Sequence, residues 1–331
     1  MTTRLKAAIE DFPIAGSFTI SRGRKTKAET IHVTLSREGV TGHGECVPYA
    51  HYGETTATTL NAITALTGPI ADGLTRQDLQ TALRPGAARN ALDCAFWDLE
   101  AKLAGKSVAE LAGLTLPENI VTAYTISLGT PEEMAAATRA ATGYPLLKLK
   151  LGGKGDSARL RAVRQAAPNK RLLADANEAW SDETLGERLR VAADLGLELV
   201  EQPLPAKADS ALAAVAHPLP VCADESAHDL AGLGALAGRY DAINIKLDKT
   251  GGLTEALALA RAAQQVGLRI MVGCMVGTSL SMAPAMMLAS FADWVDLDGP
   301  LLLQKDRPDG LVYDKGLVRF GDRPIWGSAK A

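Results

Sequence analysis

The chain is 331 residues long, 47% apolar and 22% charged, and its 35 Lys and Arg against 38 Asp and Glu leave a formal net charge of -3. That length and apolar content suit one large core with a smaller unit beside it and exclude a disordered chain. With no basic field to meet a polyanion, nucleic acid and anionic membranes are excluded as expected partners, a small-molecule substrate is favoured, and a homo-oligomer stays open.

Residues 1–13 interrupt their few apolar side chains with Arg4, Lys6, Glu10 and Asp11, so no secretory signal is expected there. Residues 30–35, IHVTLS, alternate as a half-buried strand does, and GVTGHGE at 39–45 reads as a turn entering a second strand. Next comes PYAHYGE at 48–54, a candidate lid loop. From 87 to 114 the apolar residues take helical spacing, with Gly113 as the stop, so residues 1–118 read as an α+β unit.

After Pro117 short apolar runs alternate with Ala-rich, helix-compatible stretches: VTAYTIS, LLKLKL, RLLADAN, LELVEQPL, PVCADES, AINIKL, RIMVGCMV and WVDLDGP. The polar residues near their ends recur every two to three dozen residues, the length of one βα unit, and eight parallel strands of this kind close into a barrel over 119–300. An open doubly wound sheet would carry a glycine-rich loop after its first strand, and none is there. The most apolar window, 281–292, contains Pro284 and is shorter than the ~20 residues that cross a bilayer, so a cytoplasmic protein is expected. Residues 301–331 hold two short runs around Lys315-Gly316 and are expected to pack back on the N-terminal unit. Cys46, Cys94, Cys222 and Cys274 have no metal or disulfide spacing and read as reduced thiols, the last two as small buried hydrophobes.

Three consecutive strands end on carboxylates: Asp175, Glu201 and Asp224. Any one alone reads as a loop cap or an ion-pair partner; three at matching strand ends converge, and oxygen ligands that leave positions for water and substrate suit Mg²⁺. Lys148 and Lys150 are two apart on the second strand and share a face, while Lys246 ends the sixth. Strands two and six oppose each other in a ring of eight, with the acids on the arc between. Such an arrangement can remove a weakly acidic proton beside a carboxylate, because the enediolate meets preorganised positive charge. Like charge lowers a lysine's proton affinity and makes it a base. One base on each face of a planar intermediate inverts the stereocentre. A Schiff-base aldolase also buries a lysine but has no use for three converging acids. Asp296 and Asp298 end the eighth strand on one face and would welcome a substrate ammonium; they could instead cap a loop or hold a second cation. Residues 19–29, TISRGRKTKAE, form a basic loop in which Arg22, Arg24 or Lys25 could meet a carboxylate, with Arg24 favoured.

LLKLKL, LLADANEAW, LVEQPL, CADES and NIKLDKTGG resemble, in order and spacing, the motifs of the enolase superfamily, muconate-lactonising subgroup. GHGECVPY, AARNALDCAFWDLEAK, RYDAINIKLDKTGGLTEA, GCMVGTS and DLDGPLLL are especially similar to the L-Ala-D/L-Glu dipeptide epimerases of bacteria. The resemblance implies an α/β chain with an N-terminal α+β capping domain and a modified (β/α)7β barrel. It implies one Mg²⁺ on Asp175, Glu201 and Asp224, Lys150 and Lys246 as the two bases, and Lys148 neutralising the bound carboxylate. Arg24, Thr125, Cys274, Val276, Asp296 and Asp298 would contact a dipeptide, the last two at its free amino group, in an enzyme that would serve murein peptide recycling. A cycloisomerase or o-succinylbenzoate synthase on the same scaffold, or a non-catalytic metal-binding barrel, are the competing readings.

Overall fold

The computed structural model describes residues 2–328. Its N-terminal unit is an antiparallel sheet of β1 (Arg4–Ile20), β2 (Gly23–Arg37) and β3 (Val40–Cys46). On β2 the alternation read from the sequence turns Ile31, Val33 and Leu35 inward, where they pack with Ala91, Leu92, Ala95 and Leu99 of the helix Ala87–Ala104. Sheet and helix approach closely because β3 carries Gly42 and Gly44. A Cβ on either would overlap backbone atoms of Ala95 or Ala91. The helical pattern read as reaching Gly113 is broken once: Gly105, at φ 60°, ends the long helix, and Gly113, at φ 66°, ends a separate turn, Val108–Ala112.

The chain then lays down β4 (Ile120–Val121) and eight parallel strands: β5 (Tyr124–Ile126), β6 (Leu146–Lys150), β7 (Arg171–Asp175), β8 (Leu199–Glu201), β9 (Val221–Ala223), β10 (Ala242–Ile245), β11 (Arg269–Val272) and β12 (Trp294–Val295). They pair in sequence order from β5 to β12. The Ala123 N–H donates to Val295 O at 2.8 Å across the remaining gap, so the sheet closes into the expected barrel. Helices Pro131–Ala140, Asp156–Ala166, Asp182–Asp194 and Leu253–Gln265 cover the outside. After β8 and β9 the Ala-rich stretches make only 3-10 turns, Ala206–Ala208, Ser210–Ala214 and Leu233–Ala235. Pro205, Pro218 and Pro220 bracket the first of these connections, and glycines interrupt the second, AGLGALAG.

Inside the barrel the side chains stand in layers. Ala123, Leu146, Leu173, Leu199, Cys222, Ala242, Met271 and Trp294 form one apolar floor. Two residues further along each strand the inward position is Thr125, Lys148, Asp175, Glu201, Asp224, Asn244, Gly273 and Asp296. The floor buries apolar area, and the next layer holds Lys148 and the four acids Asp175, Glu201, Asp224 and Asp296.

The tail adds β13 (Val312–Asp314) and β14 (Leu317–Arg319), a hairpin that pairs with β4 rather than with the cap sheet. The segments on either side of it touch the cap: the Gln304 N–H donates to Pro13 O, Arg307 pairs with Glu45 at 2.7 Å and with Glu10, and Trp326 Nε1 donates to Cys94 O at 3.0 Å. Cap and barrel are also tied by the buried Arg89, which donates to the carbonyls of Thr250 and Gly251 and pairs with Glu255. All four cysteines are free, and among the described residues no helix is long and apolar enough to cross a membrane.

Candidate active site

Strand register sets the first level of the site, since Lys150 lies beside Asp175 and Asp175 beside Glu201 on neighbouring strands. Asp224 follows β9 and Lys246 follows β10. Asp175, Glu201 and Asp224 are all at most 2% exposed, and they can bring carboxylate oxygens within 4.8 Å of one another. Lys148 Nζ lies 2.6 Å from Glu201 Oε2, 2.8 Å from Asp296 Oδ2 and 3.4 Å from Asp175 Oδ2. Lys150 Nζ is 2.6 Å from Asp175 Oδ2, and Lys246 Nζ is 2.7 Å from Asp224 Oδ2. Strands β7, β8 and β9 separate β6 from β10, so the two lysines stand on opposite sides of the ring with the acids between.

The charges are strongly coupled. Burial alone would raise Asp175, but Lys150 and Lys148 outweigh it and hold the carboxyl at about 2. Burial and then the Asp175 charge push Glu201 up to about 7. Three buried carboxylates that can bring oxygens within 4.8 Å of one another, one of them pushed up by burial and then by its neighbour's charge, form an all-oxygen donor set of the kind a hard divalent cation takes. The residues therefore fit such an ion. The expectation that Lys246 has a lowered proton affinity is not met by the protein's own groups. Burial lowers it, but Asp224 and Glu201 outweigh burial and raise it well above the ordinary lysine value.

A cavity of about 230 Å³ opens above this layer, between the cap loops and the strand ends. Lys150, Lys246, Asp224, Cys274 and Val276 line it from the barrel, and Phe18, Arg22, Arg24, Lys25 and Tyr52 from the cap. Thr125, Lys148, Asp296 and Asp298 do not line it. Thr125 is 6% exposed and donates its N–H to Asp298 Oδ2 at 2.7 Å, while Asp296 holds Lys148. Burial and then the Asp296 charge push Asp298 up to about 7, against the opposing Thr125 hydrogen bonds and Lys148 charge. In the basic loop Arg22 pairs with Glu225 at 2.6 Å and Glu178 at 3.2 Å, and Lys25 Nζ sits 4.6 Å over the Tyr49 ring. Among the described residues Arg24 has neither kind of partner, and it lines the cavity.

Sequence reasoning missed several residues. Lys249, fully enclosed, donates to Asp224 Oδ1 at 2.6 Å and to Asn244 O at 2.9 Å; it lies one helical turn past Lys246, a spacing that could have revealed it. Asn244 donates to Glu201 Oε1 at 2.7 Å and shares Lys246's strand face two residues earlier. Gln202 Oε1 accepts the N–H groups of Asp224 and Ser226, from a backbone at φ 32° that no pattern announces. In the candidate lid loop His51 Nε2 is 3.4 Å from Glu178 Oε2, and Tyr52 meets the edge of His228 with ring centroids 5.0 Å apart.

Comparison with known proteins agrees over both units. Residues 3–113 match the mandelate racemase / muconate lactonizing enzyme N-terminal domain, and residues 132–327 match the enolase C-terminal domain-like family. The L-Ala-D/L-Glu epimerase of Escherichia coli (strain K12) is 47% identical over 314 residues, covering 94% of this chain and 98% of its own. The N-acetyl-D-glutamate racemase of a Pseudoalteromonas species is 45% identical over 301 residues, 90% of this chain and 95% of its own. An enolase family member from Agrobacterium tumefaciens with homology to dipeptide epimerases, solved with sodium, L-Ala-L-Glu and an ordered loop, superposes with a TM-score of 0.96 at 53% identity. It covers 98% of this chain and 100% of that one.

Proposed function

The chain belongs to the mandelate racemase / muconate lactonizing enzyme family of the enolase superfamily, and we propose that it epimerises dipeptides, L-Ala-D-Glu and L-Ala-L-Glu, at the α-carbon of the C-terminal residue. The observation that carries this reading is the placement of Lys150 and Lys246 on strands four apart, with three buried acids on the arc between.

Asp175, Glu201 and Asp224 would hold one Mg²⁺, which would supply positive charge for the enediolate. Lys150 and Lys246 act as the two bases. One takes the α-proton from its face and the other returns a proton from the opposite face, so the centre inverts. Lys148 is held by Glu201, Asp296 and Asp175, and its ammonium balances the substrate's terminal carboxylate. Asp296 and Asp298 take the amino terminus, whose charge opposes the burial and the Asp296 charge that together raise Asp298. Arg24 meets the glutamyl carboxylate in two-pronged geometry. Cys274 and Val276 wall the cavity beside the substrate.

A second reading comes from the N-acetyl-D-glutamate racemase relative, whose nearly equal identity fits racemisation of an acylated glutamate by the same two lysines. Such a substrate, like those of cycloisomerases and o-succinylbenzoate synthases, has no ammonium for the Asp296–Asp298 pair, and that pair favours the dipeptide. Murein peptides are a source of L-Ala-D-Glu, so recycling of those peptides is the physiological role proposed. The test is proton NMR in D₂O with Mg²⁺, offering L-Ala-L-Glu and N-acetyl-D-glutamate separately. Exchange at the glutamyl α-carbon with the other epimer appearing is expected for the dipeptide; its absence there overturns the assignment, and exchange confined to the acetylated amino acid establishes the second reading.

A further inference from the structure

Arg24 lies in the stretch of the β1–β2 hairpin that lines the cavity, and among the described residues those on both sides of it are fastened while it is not. On one side, Ser21 Oγ donates to Asn177 O at 3.0 Å, and Arg22 reaches Glu225 and Glu178. On the other, Lys25 rests on Tyr49. Glu178 joins the Arg22 restraint to the second cap loop. Its Oε2 takes Arg22 from the first cap loop and His51 from the second, and its Oε1 accepts the Ala206 N–H from the barrel at 2.8 Å. Its own N–H donates to Gln202 O at 2.9 Å, so the side chain projects from a fixed piece of the barrel. Glu178 itself does not line the cavity.

We infer that Glu178 is a positioning residue for substrate selectivity: it fastens both cap loops to the barrel so that Arg24 is presented ready-ordered to the side-chain carboxylate of an acidic C-terminal residue. This rests on the dipeptide-epimerase reading given above. The physical reason is entropic. A basic loop left free would have to be ordered by the substrate, and that cost would be drawn from the binding of the side-chain carboxylate. Glu178 and Glu225 also engage the Arg22 guanidinium, which leaves Arg24 as the unpaired arginine beside the substrate. The loss on removing Glu178 therefore falls on ground-state binding through Arg24 and not on proton transfer by the lysines.

The experiment uses the full chain with Mg²⁺ and follows α-proton exchange of L-Ala-L-Glu and L-Ala-L-Leu in the native protein, Glu178→Ala, Glu178→Gln, Arg24→Ala and the Glu178→Ala/Arg24→Ala double variant, with circular dichroism confirming the fold. Glu178→Ala is expected to raise KM for L-Ala-L-Glu by about 5-fold, the scale of one or two partly exposed ion pairs, and to leave kcat and the kinetics on L-Ala-L-Leu unchanged. Glu178→Gln, which keeps one acceptor oxygen but loses the charge that holds Arg22, recovers only part of the loss. When Arg24 is already absent, Glu178→Ala has no further effect on L-Ala-L-Glu. An unchanged KM, an equal loss on both dipeptides, or the same rise with and without Arg24 overturns the inference. If the native protein turns over neither dipeptide, the epimerase reading itself fails, an outcome separate from native turnover that is indifferent to Glu178.

Discussion

Asp298 shows how much of the proposed chemistry rests on single charges. An acid whose pKa is raised to about 7 is neutral below that pH and becomes a partner for an ammonium only above it. The substrate's amino group loses its own proton near about 8. KM for L-Ala-L-Glu is therefore expected to fall as pH rises through about 7 and to rise again beyond about 8. In Asp298→Asn the acidic limb should vanish and KM should rise by about 10- to 100-fold, the worth of one hydrogen bond to a charged group. Steady-state kinetics between pH 5.5 and 9 check this; an unchanged acidic limb would assign it to another group. At this scale the sequence was informative wherever a rule of two applied. Lys148 and Lys150 both reach Asp175, as a shared strand face predicts, whereas Asp296 and Asp298 lie past the end of β12 and do not line the cavity. Lys249 and Gln202 escaped because one returns by a helical turn outside the strand and the other by an unusual backbone angle.

Among the elements, β3 and the helix Ala87–Ala104 make the sharpest demand on residue type. The backbone contact at Gly44 leaves no room for a methyl group, so Gly44→Ala must push sheet and helix apart. The expected cost is about 1–3 kcal/mol, as for overpacked cores, measured as a lowered midpoint in urea unfolding; a stability equal to the native protein would mean that the cap can separate freely. The strands of both units were legible because each has its own burial rhythm, half-buried in β2 and inward polar over inward apolar in the barrel. The connections after β8 and β9 were not. Alanine content suggests helix there, but Pro205, Pro218, Pro220 and the glycines of 232–238 leave only short turns. The tail hairpin followed its turn signal, yet its pairing with β4 depends on a contact nearly 200 residues away in sequence.

For the whole molecule, the division of labour follows from the layers. The barrel floor buries apolar side chains, the next layer holds the three acids and Lys148, while Lys150 and Lys246 line the cavity above it, and the cap sets a basic loop at the same cavity. The position of strands β6 and β10 across the ring turns two lysines into two faces of one reaction, and it is this claim on which the functional reading stands. It is tested most directly by following Lys150→Ala and Lys246→Ala, each loaded with Mg²⁺, on L-Ala-L-Glu and on L-Ala-D-Glu in D₂O. Inversion is expected to disappear in both variants, while α-proton exchange without inversion survives for one epimer in Lys150→Ala and for the other epimer in Lys246→Ala. A variant that still inverts the centre, or two variants that retain exchange for the same epimer, would contradict the two-base arrangement.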